Sequence, residues 1–360
     1  MGRKGDAALS LLKFVLLFAV RGSRLFVSAM VGSIWTLILQ LCGGGKLRKC
    51  FPDDVETRAD ELYRLAELSG AVYDDEVTTS IVSELVDGFT LENGWVMQVF
   101  DLPINGGRIF LLTNDEHKRH IIASRGTANK ANIKADFKYK KVMSETAECF
   151  LHRGFKASAE ETWETVRPFL DRNYWTSFTG HSLGGAIAVI CGMLARTDGF
   201  TVSKVVTFGQ PKVTNYGGAI LWDAEKQLPV TRVVHNTDSV PLLPMAKPSD
   251  FWQKGVFFHF GVMIWLDDTG RQEILTSAAS NISGRTDYWF QTATFTRIPF
   301  TGLFSHPMAG YLKSLWTWVP HYKRVEVVKA RKEAEEAEAA RKALSEVETP
   351  SAGTPTGSGE

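Results

Sequence analysis

Apolar residues recur along the middle of this chain with two alternating rhythms. Between Val55 and Tyr73, Leu62, Leu65, Ala66 and Leu68 return at helical spacing, which predicts an amphipathic helix. Gly94–Leu102 and Arg108–Leu112 are strand-like runs on either side of Asn105-Gly106-Gly107, the composition of a hairpin turn. His120–Ser124 reads as a short apolar strand, Phe155–Leu170 as a helix, Tyr174–Thr179 as a strand and Leu183–Ala195 as a helix. Val202–Phe208 and Val230–His235 are further β-branched strands. Strands that alternate with helices predict an α/β fold, a mostly parallel central sheet covered by helices on both faces.

The two ends follow other patterns. Ala7–Val20 is apolar apart from Lys13, Arg21-Gly22-Ser23-Arg24 interrupts it, and Leu25–Cys42 carries no charge. Roughly 20 apolar helical residues span a bilayer, so the second run is just long enough and the first is short. Basic residues flank both runs (Arg3, Lys4, Arg21, Arg24, Lys46, Arg48, Lys49), which leaves the orientation open. Residues 1–51 are therefore read as a hydrophobic membrane-anchor or targeting region, with the anchor within residues 7–42. A signal peptide cleaved after Ala29, an Arg-rich mitochondrial presequence and helices packed on the domain are the alternatives. Beyond His321, Lys323–Glu346 is rich in Ala, Glu, Lys and Arg with little apolar stripe, and Ser351–Glu360 is a Gly/Ser/Thr/Pro tail. The division expected is 1–51, a globular domain over 52–320, and a charged, then floppy, tail over 321–360.

Composition narrows the picture. The 360 residues are 44% hydrophobic, enough for one large core. A net charge of +1 supplies no field that would draw nucleic acid, so no nucleic-acid partner is expected. Four scattered cysteines form neither a disulfide framework nor a zinc site, and no metal or organic cofactor is implied. Cys191 lies in an apolar run and reads as a small core residue.

The chemistry concentrates in Thr179-Gly180-His181-Ser182-Leu183-Gly184-Gly185. A serine hydroxyl is a weak nucleophile until it is lifted beside a base. A sharp strand-to-helix turn does this, with flanking glycines that let the two backbones approach without Cβ clashes. Gly180 and Gly184 flank Ser182, a β-type run precedes it and an Ala-rich helix follows. An acid and a base should follow in that order. Asp238 lies just past the strand that ends at His235, whereas Asp223, Asp250, Asp267 and Asp268 lack that context. For the base, His235 is inside a strand and His321 borders the tail. His259, in an aromatic run, is a rival to His306, which follows a long loop and is the base expected.

The order Ile122-Ala-Ser-Arg-Gly-Thr127, His152-Arg-Gly-Phe155, Gly180–Gly185, Val206-Thr-Phe-Gly-Gln-Pro211, Asp238-Ser-Val-Pro241 and His306 with Tyr311 resembles the class 3 lipase family, from about Val55 to Leu315. The resemblance implies an α/β-hydrolase fold with Ser182 as nucleophile, Asp238 as acid and His306 as base. It also implies an oxyanion hole made by Thr127, through its backbone N–H and hydroxyl, and by the backbone N–H of Leu183. Ala128–Lys141 falls where the family carries its lid. Within it Ile133 and Phe137 share one helical face and Lys130, Lys134 and Lys138 another, and Asp136 matches a family aspartate that holds the oxyanion-hole hydroxyl. The chain departs from the family at Ser124, where an aromatic is usual, at Ser305, where an acid is common, and in its N-terminal apolar region.

The reading that results is a membrane-associated serine hydrolase that cleaves acyl esters of glycerolipids, with lipid as substrate and a membrane or lipid surface as partner. The alternatives are a phospholipase or galactolipase acting on polar membrane lipids, and a non-catalytic membrane scaffold. The intact motifs speak against the scaffold.

Overall fold

The computed structural model describes residues 55–74, 94–102, 106–126, 140–235, 238–244, 257–266, 272–275 and 306–319. In chain order the elements are helix α1 (Val55–Ala71), strands β1 (Trp95–Asp101), β2 (Arg108–Asn114), β3 (Arg119–Ser124), β4 (Lys141–Ser144) and β5 (Cys149–His152), helix α2 (Arg153–Val166), strand β6 (Trp175–His181), helix α3 (Leu183–Thr197), strands β7 (Thr201–Phe208) and β8 (Thr214–Asn215), helix α4 (Tyr216–Ile220), strands β9 (Val230–His235), β10 (Phe257–Phe258), β11 (Val262–Leu266) and β12 (Gln272–Leu275), and helix α5 (Met308–Trp316).

Among the described residues, one sheet runs β1-β2-β3-β6-β7-β9-β11-β12 and a smaller one runs β10-β8-β5-β4. Neighbours from β3 through β6, β7 and β9 to β11 are parallel. The outer pairs β1–β2, β2–β3 and β11–β12 are antiparallel. The parallel strands are covered on both sides, so Thr176, Thr179 and Thr207 are buried along with Phe178 and Val206. Helices α2 and α3 cover one face, where Phe155, Trp163, Ile187 and Ile190 pack on Phe178 and Val205. Helices α1 and α5 cover the other, with Leu62, Leu65, Tyr311 and Leu315 on Phe208, Val233 and Ile264. All four apolar residues of the expected first helix, Leu62, Leu65, Ala66 and Leu68, are buried.

Most elements match the apolar rhythm within one or two residues at each end, with two instructive differences. The helix expected over Phe155–Leu170 begins earlier, at Arg153, and gives way at Arg167–Phe169 to a 3-10 turn. Pro168 explains this, because it has no N–H to continue the helix and clashes with the preceding turn. The short strands β4, β5, β8 and β10 carry too few residues for a rhythm to show. Cys149 and Cys191 are free and buried, and Cys191 contributes its thiol to the carbonyl of Ala159 at 3.4 Å.

The fold ties helix α1 to the strand that carries the serine. Ser69 donates its hydroxyl to Leu65 O (2.7 Å), so Thr179, one residue before Gly180, donates to Ser69 Oγ at 2.9 Å. No helix among the described residues is long and apolar enough to cross a membrane. The segment over residues 7–42 lies outside the described residues, as do the tail and Thr127, Ile133, Asp136 and Phe137.

Candidate active site

Ser182 stands between the last residue of β6 and the first of α3 with φ 59° and ψ −127°, a conformation that L-residues rarely adopt. Strain of this kind costs on the order of 1–3 kcal/mol and persists only where its surroundings over-determine it. Here they do. Ser182 N donates to Phe208 O (2.9 Å), and Ser182 O accepts from Gly185 N (3.0 Å) and Ala186 N (3.3 Å). The turn also fits against the end of β3: a Cβ on Gly184 would lie 2.1 Å from Ser124 O and 2.9 Å from Gly126 N, so only glycine lets these backbones meet. Leu183 opens α3, and the first N–H groups of a helix have no partner inside it. With the helix dipole they make this end receptive to negative charge.

Asp238 and His306 meet at the same end of the sheet. Asp238 follows β9 in a turn closed by Asp238 N to His235 O (3.0 Å), and its Oδ1 accepts from Val240 N (2.8 Å). Its Oδ2 accepts from His306 Nδ1 at 2.8 Å and from the Tyr311 hydroxyl at 2.5 Å. The carboxylate side chain is fully enclosed and that of His306 is 8% exposed. His306 Nε2 is buried, with no hydrogen-bond partner among the described residues. Because Nδ1 donates to the carboxylate, Nε2 of the neutral ring carries the lone pair and is the acceptor.

Gly209 makes this corner fit. It has φ +58°, and a Cβ there would stand 2.7 Å from Asp238 Oδ2, 2.9 Å from the Tyr311 hydroxyl and 3.1 Å from His306 Cε1. His235 packs its ring against Tyr311 (5.6 Å between centroids) and bonds Ser314 Oγ through Nε2 (3.2 Å). His259 is elsewhere: its Nε2 donates to Pro241 O at 2.8 Å. Burial, then the charges of Arg232 and Lys212, push its pKa well below the ordinary histidine value.

His181 was no candidate on sequence. Its ring stacks on that of His306 with centroids 4.5 Å apart and planes at 29°. Its Nε2 donates to the backbone carbonyl of His306 at 2.8 Å, and its Nδ1 faces the Tyr73 hydroxyl at 3.2 Å. Burial, then the neighbouring charge of His306, holds it neutral far below the usual range. Burial also raises the Tyr73 phenol well above its usual value. Neither residue was legible beforehand, because the pair is 108 residues apart and the second link spans 125. Gly209 had a faint signal, a glycine directly after the apolar strand Val202–Phe208. Among the described residues no group of three or more His, Cys, Asp or Glu side chains is arranged to hold a metal ion.

The mostly parallel sheet, its helices on both faces and the strained serine at a strand-to-helix elbow make this an α/β-hydrolase fold. Within that class the chain is similar to the class 3 lipase family, whose model matches residues 121–247. It is 30% identical over 222 residues to the lipase ZK262.3 of Caenorhabditis elegans, covering 58% of this chain and 62% of that one. The lipase of Rhizomucor miehei is 25% identical over 258 residues, covering 69% and 67%. A secreted mono- and diacylglycerol lipase of Fusarium solani is 28% identical over 144 residues, 38% of this chain and 42% of that one. The chain thus spans less than two thirds of the C. elegans and F. solani relatives. Among solved structures, a triacylglycerol lipase whose catalytic centre is described as a serine protease triad superposes with TM-score 0.53 at 26% identity, over 69% of this chain and 93% of that one. Lipase II from Rhizopus niveus gives the same TM-score and coverage at 22% identity, a likeness of fold.

Proposed function

We propose that this chain is a carboxylic ester hydrolase that cleaves acyl esters of glycerolipids through Ser182, His306 and Asp238. The observation that carries the reading is the polarity of His306. Its Nδ1 is engaged by an enclosed carboxylate while its Nε2 is buried and has no partner among the described residues, at the same sheet end as a serine in a strained elbow. In that arrangement His306 Nε2 takes the Ser182 hydroxyl proton as the serine oxygen attacks the ester carbonyl. Asp238 keeps the proton on Nδ1 and stabilises the imidazolium that forms. The imidazolium then returns the proton to the leaving alcohol, and water hydrolyses the acyl-enzyme with the same base.

The carbonyl oxygen becomes negative at the N-terminus of α3, where the Leu183 N–H is one donor and Thr127 is proposed as the other. One such donor is worth roughly 3 kcal/mol. Glycerolipid esters are the substrate class because the relatives named above are a lipase and a mono- and diacylglycerol lipase. Ile133 and Phe137 are proposed as the apolar face of a lid over the site, with Asp136 holding the Thr127 hydroxyl. The apolar run within residues 7–42 is proposed to tether the domain, over 52–320, to a membrane.

The test is labelling of the full chain by a fluorophosphonate probe together with turnover on a panel of acylglycerols, phospholipids and galactolipids. Wild type should be labelled and should release fatty acid fastest from acylglycerols, and Ser182→Ala should lose both, with turnover falling on the order of 10⁶-fold. Labelling or turnover that survives in the alanine variant would assign the nucleophile elsewhere.

A further inference from the structure

Three loops deliver the parts of this site: the end of β3 with Gly126, the elbow with His181 and Ser182, and the segment that begins at His306. One phenol and one imidazole join all three. The Tyr73 hydroxyl abuts Gly126, where a Cβ would stand only 2.2 Å from it. It faces His181 Nδ1 at 3.2 Å and His181 O at 3.3 Å. The guanidinium of Arg125 lies 6.0 Å from the Tyr73 ring centroid. His181 in turn bonds the His306 carbonyl through Nε2 and lies flat against the His306 ring. Tyr73 reaches this position because the turn after α1 is closed by Val72 N to Leu68 O and Tyr73 N to Gly70 O, on a helix that Ser69 binds to β6.

The direction of each bond follows from elementary chemistry. A carbonyl only accepts, so His181 Nε2 carries the proton and donates it to His306 O. The neutral ring then has its lone pair on Nδ1, which shares the single proton of the Tyr73 hydroxyl with the carbonyl of His181. Tautomer and orientation of His181 are therefore both set, and its plane is presented to His306. From this geometry we infer that Tyr73 and His181 form a positioning clip that sets the height and ring plane of His306 and ties the base to the elbow and to the oxyanion-side loop. The inference rests on the proposed function. Neither clip residue touches substrate; both act through His306 and the Gly126 backbone. The neutrality of His181, enforced by burial and by His306 itself, serves the same end, because a second cation stacked on His306 would oppose the imidazolium formed during turnover.

Three variants of the full chain separate positioning from bulk structure. His181→Phe keeps an aromatic plane and removes the donor; His181→Gln removes the plane and restores an N–H at the reach of Nε2; Tyr73→Phe deletes one oxygen and keeps every carbon. On a short soluble ester, His181→Phe should lower kcat by roughly tenfold to a hundredfold with KM nearly unchanged, as a misplaced catalytic group does. The fluorophosphonate labelling rate should fall in parallel. His181→Gln should recover most of the loss. Tyr73→Phe should lose less than His181→Phe, and the double variant His181→Phe/Tyr73→Phe should be little slower than His181→Phe alone, because both changes break one connection.

Glutamine as slow as phenylalanine, losses confined to KM, additive losses in the double variant, or labelling rates at wild-type level in all variants would each overturn the clip. A drop in urea midpoint that matches the activity loss across the three variants would reduce it to a packing role and overturn it as well. A wild-type chain that is neither labelled nor active would overturn the proposed function itself, and the clip with it.

Discussion

The elbow around Ser182 and the corner around Asp238 lie side by side at one end of the sheet, yet they are built in opposite ways. The elbow is largely contiguous: its strain and flanking glycines lie within Gly180–Gly185 and its helix follows directly, with Phe208 O and the end of β3 as its supports from outside. The corner is assembled from afar. Asp238 is reached by His306 from 68 residues away and by Tyr311 from 73, and Gly209 supplies the space from a different strand end. A local device tolerates side-chain change around it so long as its glycines remain. A non-local one depends on enclosure, because a carboxylate taken out of water must have its oxygens occupied. Asp238 meets that requirement with three donors, Val240 N, His306 Nδ1 and the Tyr311 hydroxyl.

The same contrast explains what could be read from sequence. Ser182 was legible because its turn, its strand and its helix are contiguous, and the parallel sheet was legible because β-branched runs such as Val202–Phe208 and Val230–His235 alternate with helical ones. Asp238 and His306 could be selected by chain order and strand-end position, with His259 left as a rival. Nothing local shows that Tyr311 shares Asp238 Oδ2 with His306, that Gly209 must lack a Cβ, or that Tyr73 and His181 stand behind the base. Those relations exist only after strands β6, β7 and β9 lie side by side and helices α1 and α5 pack over them.

The largest effect that would break the comparison concerns the two rival histidines. His306→Ala removes the base and leaves an enclosed carboxylate with one donor fewer, so turnover on a soluble ester should fall by about 10⁴-fold or more. His259→Ala should stay within about tenfold of wild type and should instead lower the urea midpoint, since its visible work is the bond to Pro241 O beneath the acid-bearing loop. A dead His259→Ala beside an active His306→Ala would move the base and dissolve the corner as described.

A smaller effect sharpens the claim that the corner depends on space. Gly209→Ala demands a Cβ inside contact distance of Asp238, His306 and Tyr311 at a positive φ. Overpacking of this kind costs about 1–3 kcal/mol, and part of it should be relieved by displacement of the histidine. Turnover should therefore fall about a hundredfold, as expected for a catalytic group moved by an ångström, while the chain still folds. Turnover unchanged in a folded Gly209→Ala would mean that the corner yields without consequence, and that its close fit is incidental.

The smallest effect is a slope with pH, and it compares the neutral histidine behind the elbow with the one behind the corner. His181 and His259 both have folded-state pKa values pushed well below the ordinary 6.5, first by burial, and then by the charge of His306 in one case and those of Arg232 and Lys212 in the other. A histidine depressed on folding binds its proton more readily in the unfolded chain. Its stabilising contribution is thus complete above the unfolded value and is lost as pH falls below about 6.5 towards the folded value. Each such group adds at most about 1.4 kcal/mol of destabilisation per pH unit in that window. His259→Gln keeps an amide N–H for Pro241 O and removes the titration, whereas His181 remains. Urea unfolding of the full chain at pH 7.5, 6 and 5 should show nearly equal stability for wild type and His259→Gln at the highest pH. The variant should then lose stability more slowly on acidification, by up to one group's share of the slope. Parallel curves would mean that His259 takes up its proton as easily folded as unfolded, and that the surroundings of the acid-bearing loop do not exclude charge as those of the elbow do.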